Sequence, residues 1–106
     1  LKFEELYTDA QEKIDMVAER ILTLEGKPLH TFEDYLKTAS VPVGKNISND
    51  KEAVELVVSS LAELLRVERR ILTLASSADD EGTNSMMGDF ITEQEKTTWM
   101  LKSWLA

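Results

Sequence analysis

The chain has 106 residues, with 12 basic and 20 acidic side chains and a formal net charge of −8. This length is enough for one small domain spanning residues 1–106, and the 42% hydrophobic content excludes a disordered chain or a collagen-like fibre. An acidic surface repels phosphate backbones and anionic lipids, so DNA and membranes are disfavoured partners, whereas cations are favoured.

Cysteine is absent and there is one histidine, which excludes disulfides, thiolate nucleophiles and a histidine-rich metal centre within this chain. No apolar stretch is long enough to span a bilayer, and no signal-peptide pattern opens the chain. We therefore expect a cytoplasmic protein.

The first segment has apolar residues at helical spacing, and these predict a long amphipathic helix. They are Phe3, Leu6, Ala10, Ile14, Val17, Ile21 and Leu24. Gly26 and Pro28 follow and indicate the end of the helix. Thr31 and Asp34 then resemble a capping box that opens a short helix near residues 32–37, and residues 40–48 read as a loop.

Two more long helices are predicted. Asn49 and Glu52 form a second capping-box pattern. It precedes a stripe of Ala53, Val57, Leu61, Leu64, Val67 or Glu68, Ile71 and Leu74. After a polar connection around residues 76–82, a last helix from about residue 83 has a stripe of Met87, Phe90, Ile91, Gln94, Thr98, Leu101 and Leu105. The fold class is all-α, an antiparallel bundle.

Asp15 and Glu19 are candidate metal ligands. Their i, i+4 spacing points both carboxylates the same way, about one turn apart, on a face turned away from the apolar stripe. Two hard oxygen donors so placed can hold an iron ion, but an acidic pair is also typical of a solvated face. Arg20 could equally pair with a neighbouring carboxylate.

A run of three acids, Asp79, Asp80 and Glu81, lies just before the last helix. It is compatible with a solvated turn that favours the helix N-terminus, or with a mouth that attracts cations where several copies meet. His30, by contrast, is expected to be an ordinary surface residue.

Two stretches resemble the Dps family, the mini-ferritins. FEELYTDAQEKIDMVAERILTLEGKPLHTFEDYL is similar to the family's second helix and following loop, and DDEGTNSMMGDFITEQEKTTWMLKSWL to its last helix. The motifs D-x-x-x-E-R and E-K-x-x-W-M-L carry the resemblance, which covers well over half of the chain.

The resemblance implies a ferritin-like antiparallel four-helix bundle with its first helix missing, so that three long helices and one short helix remain. It implies a homo-oligomer, a hollow dodecamer, that oxidises ferrous iron, preferably with hydrogen peroxide, stores the ferric mineral and protects against oxidative stress. Each iron site would lie at a two-fold contact, with Asp15 and Glu19 from one subunit and Glu4 matching an outer ligand of the other. Asp79, Asp80 and Glu81 would border the pore for iron uptake.

The family's two histidine ligands come from positions before Leu1. This chain therefore carries the carboxylate ligands of each site and no further catalytic residue. The alternative is therefore a truncated, non-catalytic helical oligomerisation fragment that keeps the fold. The lysine-rich tail through which many relatives bind DNA is absent, so DNA binding by this chain is not expected.

Overall fold

A computed structural model describes residues 3–27, residue 39 and residues 49–106. These residues form three helices: α1 (Phe3–Thr23), α2 (Asp50–Ser77) and α3 (Glu81–Leu105). The chain divides into two compact units, Leu1–Ala39 with α1 and Ser40–Ala106 with α2 and α3. The all-α class is confirmed for the described part of the chain, whereas the single domain over residues 1–106 stays a prediction. The predicted short helix and the loop at 40–48 lie outside the described residues.

The end of α1 differs in detail from the expectation that Gly26 terminates it. Glu25 has the left-handed backbone (φ 66°) that ends the helix. Its N–H donates to the Leu22 carbonyl at 2.9 Å, and the Gly26 N–H donates to the Ile21 carbonyl at 2.8 Å. This is the Schellman arrangement, but Glu25 holds the left-handed position that glycine usually occupies, and Gly26 follows one residue later. Gly26 is needed for a different reason, because a Cβ there would lie 2.9 Å from Ile21 Cγ2.

The buried side of α1 is rotated from its predicted apolar stripe. Phe3, Ile14 and Leu24 are exposed (46%, 57% and 53%), whereas Lys13 is 8% exposed. The Lys13 ammonium group donates to both carboxylate oxygens of Asp9, at 2.8 and 2.7 Å. A buried ammonium group needs such a partner, and the aliphatic stem of lysine packs as an apolar group does.

The start of α2 is as predicted. Asn49 caps the helix, and its side-chain oxygen accepts from the Glu52 N–H at 2.8 Å. The buried face of α2 is only partly the predicted one: it holds Val54, Leu61, Leu65, Glu68 and Ala75. Leu64 and Leu74 of the predicted stripe are 40% and 57% exposed, so the buried face of α2 covers only part of that stripe.

The connection between α2 and α3 is shorter than predicted, since α2 continues to Ser77 and α3 already begins at Glu81. Three residues, 78–80, therefore suffice to reverse the chain. The buried residues of α3 are Met87, Phe90, Gln94 and Leu101, all in the predicted stripe.

The antiparallel α2–α3 hairpin has its own apolar core. Val54, Leu61 and Leu101 form a buried cluster, against which Val57, Val58 and Leu105 pack. Near the turn, Asn84 Nδ2 donates to the Leu72 carbonyl at 3.2 Å, and an Arg69–Glu95 ion pair (2.9 Å) crosses the outer face. These contacts place residues 54–61 opposite the C-terminal part of α3.

Within the described part of the chain, no helix combines the length and the hydropathy needed to cross a membrane.

Candidate functional site

Asp15 and Glu19 both lie in the regular part of α1 and both are exposed. Four residues of α-helix advance about 6 Å along the axis, so the two side chains are neighbours on the helix surface. The local sequence supports this geometry because Val17 and Ala18 between them continue the helix without a glycine or proline. The structure therefore presents two carboxylates together to one side of α1.

This acidic face is turned away from the buried side of the helix. At about 100° per residue, Glu4, Asp15 and Glu19 lie about 120–180° around α1 from buried Lys13. The basic group of Lys13 is engaged with Asp9 on the opposite side. The acidic face can therefore be approached from outside this helix.

Glu4 is separated from the other two candidate ligands. Eleven residues of helix place it about 16 Å from Asp15 along the axis, too far to share one ion within the same chain. It borders a shallow depression together with Glu5, Thr8, Asp9 and Glu12. Among the described residues, no group of three or more His, Cys, Asp or Glu side chains could hold a metal ion.

The donors present fit iron chemically but do not complete a site. Carboxylate oxygens are ligands that iron accepts, and two negative charges at one point attract a ferrous ion. A pair of carboxylates leaves most coordination positions open, so further ligands must come from elsewhere.

The three acids at the α2–α3 turn have different structural positions, which sequence reasoning only partly anticipated. Asp79 has a left-handed backbone (φ 58°), and Asp80 is the N-cap of α3. One carboxylate oxygen of Asp80 accepts from the Thr83 N–H at 3.1 Å, and the other accepts from the Thr83 hydroxyl at 2.6 Å. Glu81 belongs to the first turn of α3, not to the connection as predicted.

The capping role of Asp80 could have been found from the sequence, because Asp is a preferred N-cap residue and the predicted last helix follows within three residues. Asp79 and Glu81 are exposed, whereas Asp80 is half-buried. The run therefore contains a helix cap flanked by two solvated acids.

Comparison with known proteins identifies the family. A sequence profile described as the ferritin-like domain matches residues 1–106. A protein of Haemophilus influenzae is 42% identical over 102 residues, covering 96% of this chain and 64% of that protein. The "DNA protection during starvation protein 2" of Bacillus anthracis is 36% identical over 104 residues, covering 98% of this chain and 71% of that protein.

The fold agrees with the sequence match. The crystal structure of a Dps protein from Vibrio cholerae O1, described as a member of a broad superfamily of ferritin-like diiron-carboxylate proteins, superimposes with a TM-score of 0.96 and 46% identity. The match covers 98% of this chain and 65% of that one. The chain belongs to the ferritin-like family and, within it, to the Dps proteins. It spans about two thirds of the length of these relatives.

Proposed function

We propose that this protein binds ferrous iron at Asp15 and Glu19, oxidises it with hydrogen peroxide and stores ferric iron inside a homo-oligomer, thereby protecting the cell from oxidative stress. One observation carries the proposal: the two exposed carboxylates lie one turn apart on α1 in a chain of the Dps family. Iron is the substrate in this scheme, and the carboxylates are its anchors.

The chemistry follows from the charge of the pair. Two carboxylates stabilise Fe(III) more than Fe(II), because the attraction grows with the charge of the ion. Binding therefore favours loss of an electron. Two ferrous ions supply the two electrons that reduce one peroxide to water, with two protons taken from solvent.

The remaining ligands are proposed to come from a second subunit. If two α1 helices cross antiparallel near residues 9–12, Glu4 of one subunit lies beside Asp15 of the other, which compensates for the separation of about 16 Å within one chain. A dodecamer with such two-fold contacts is the assembly that the family resemblance implies. The cytoplasmic location and the absence of DNA binding expected from the sequence stay predictions.

Asp79, Asp80 and Glu81 are proposed to border the pore through which iron enters. The exposure of Asp79 and Glu81 and the position of all three acids at the tip of the hairpin support this role, since a cluster of like charges raises the local concentration of cations.

Iron oxidation by the assembled protein tests the proposal. Replacing Asp15→Ala and Glu19→Ala together should slow peroxide-dependent oxidation of Fe(II), followed by ferric absorbance, at least about tenfold, since the ion loses two charged ligands. Calorimetry under anaerobic conditions should show weaker Fe(II) binding as well.

The matched control is the double variant Glu55→Ala/Asp89→Ala, which removes the same charge from exposed positions of α2 and α3. It should oxidise iron at close to the original rate. Unchanged kinetics in the Asp15/Glu19 variant would overturn the assignment, and absence of oxidation in the unmodified protein would favour the non-catalytic oligomerisation fragment.

A further inference from the structure

Met16 lies directly beside the candidate iron ligands. It follows Asp15 in α1 and precedes Glu19 by three residues, about 60° around the helix from that carboxylate. Glu12 lies one turn before it. Side chains three or four residues apart have Cβ atoms about 5–6 Å from each other, and the flexible thioether of methionine spans such a gap easily.

The exposure of Met16 sets it apart from the buried methionine of the hairpin. Its side chain is 44% exposed, whereas Met87 is 3% exposed. Met100 has a similar exposure of 37%. The residues one turn before and one turn after it on α3 carry no carboxylate: they are Lys96, Thr97, Ser103 and Trp104. Met16 and Met100 thus form a natural pair, matched in exposure and different in their acidic surroundings.

We propose that Met16 is a methionine-sulfoxide site, oxidised selectively by peroxide when iron occupies the Asp15–Glu19 pair; this inference rests on the proposed function. The sulfur lone pair attacks one peroxide oxygen, the S–O bond forms and the O–O bond breaks. The second oxygen leaves as water, so sulfur is oxidised by two electrons and peroxide is reduced by two. A cation held next to Glu19 polarises the peroxide and eases cleavage of its O–O bond.

Met16 is then a second reductant for peroxide, next to the carboxylates that bind iron. When the bound iron is already ferric and no further ferrous iron is supplied, remaining peroxide is consumed at Met16 before it reaches the rest of the chain. Sulfoxide formation is reversible by methionine-sulfoxide reductases, so the site can be restored.

Peptide mass spectrometry tests the inference. Trypsin cleavage after Lys13 and Arg20 releases residues 14–20, with Met16 as the sole methionine, and cleavage after Lys96 and Lys102 releases residues 97–102, with Met100. With peroxide alone, the two methionines should gain oxygen at rates within about twofold of each other, because susceptibility follows exposure. Added Fe(II) should raise the Met16:Met100 ratio about fivefold or more. Fragment spectra separate oxidation of Met100 from that of Trp99.

Two variants and one enzyme complete the design. Asp15→Ala/Glu19→Ala should abolish the effect of iron on the ratio. Met16→Leu should leave iron oxidation unchanged and remove the added oxygen from peptide 14–20, and treatment with methionine-sulfoxide reductases should reverse the mass gain in the unmodified protein. An unchanged Met16:Met100 ratio alongside normal, Asp15- and Glu19-dependent iron oxidation would overturn this inference alone. Iron oxidation that does not depend on the two carboxylates would overturn the proposed function and this inference with it.

Discussion

At the residue scale, two helices of this protein end on acidic residues with left-handed backbone, Glu25 (φ 66°) and Asp79 (φ 58°). For L-residues this conformation brings Cβ close to a carbonyl oxygen and costs about 1–2 kcal/mol, less for Asp, whose short side chain tolerates it. The strain is compensated by hydrogen bonds to the last carbonyls of each helix, such as Asp80 N–H to the Ala75 carbonyl at 2.8 Å. Glu25 is the less suitable of the two residues for its position.

Glu25→Gly should therefore raise the free energy of unfolding by about 0.5–1 kcal/mol, the relief of strain less the added entropy of the unfolded chain. Thermal unfolding followed by circular dichroism measures the change. Glu12→Gly is the matched control, because it places the same substitution in the exposed interior of α1 and should lower stability by about 0.5–1 kcal/mol. A loss of stability in both variants would contradict the strain argument.

Asp80 combines two residue-scale roles that a charge-removing experiment must separate. It caps α3 through Thr83 and also contributes to the acidic run. Asparagine caps helices as well as aspartate does, and it also tolerates left-handed backbone. Replacing Asp79 and Asp80 with Asn therefore removes their charge and retains the local structure. Replacement with Ala would remove the charge but also the helix cap.

At the scale of the elements, the α2–α3 hairpin depends on the side of α2 that packs against α3. Leu61 is 9% exposed in the cluster with Val54 and Leu101, whereas Leu74 on the same helix is 57% exposed. Truncation of Leu61 would leave a cavity bordered by this cluster, whereas more than half of Leu74 is exposed to solvent.

Leu61→Ala should lower the free energy of unfolding by about 2–4 kcal/mol through lost burial and a residual cavity. Leu74→Ala makes the same chemical change and should cost less than about 1 kcal/mol. Urea denaturation of both variants measures the difference. Equal losses would mean that the exposed stripe of α2 is as important to stability as the hairpin core.

At the scale of the whole molecule, the net charge of −8 provides a field that acts on cations before they bind. If Asp79, Asp80 and Glu81 attract iron at a pore, their effect depends on their clustering and not on the total charge alone. Exposed charges are screened over about 10 Å at 0.1 M salt, so ionic strength provides a second test of the same mechanism.

The variant Asp79→Asn/Asp80→Asn/Glu81→Gln should slow iron uptake severalfold at low ionic strength, with the difference disappearing as salt is raised. Stopped-flow absorbance of ferric iron measures the uptake rate. Glu5→Gln/Glu55→Gln/Asp89→Asn removes the same charge from scattered exposed positions and should have little effect. If the scattered variant slowed uptake equally, total charge and not a pore would account for the rate.

The all-α class, the start of α2, and the i, i+4 pairing of Asp15 with Glu19 followed from the sequence alone. These features are local: apolar spacing, the Asn49 cap and the helical repeat act within a few residues. The Dps motifs likewise sufficed to predict the family that the comparisons then confirmed.

Tertiary structure alone decided which side of α1 and α2 is buried. Lys13 is buried while Ile14 is exposed, and Leu65 and Ala75 are buried while Leu64 and Leu74 are not. Each pair differs by one residue, a rotation of about 100° around the helix axis, and a broad apolar stripe is compatible with either orientation. The surface against which the helix packs selects between the two orientations. Burial depends on both packed surfaces, and the sequence of one helix specifies only one of them.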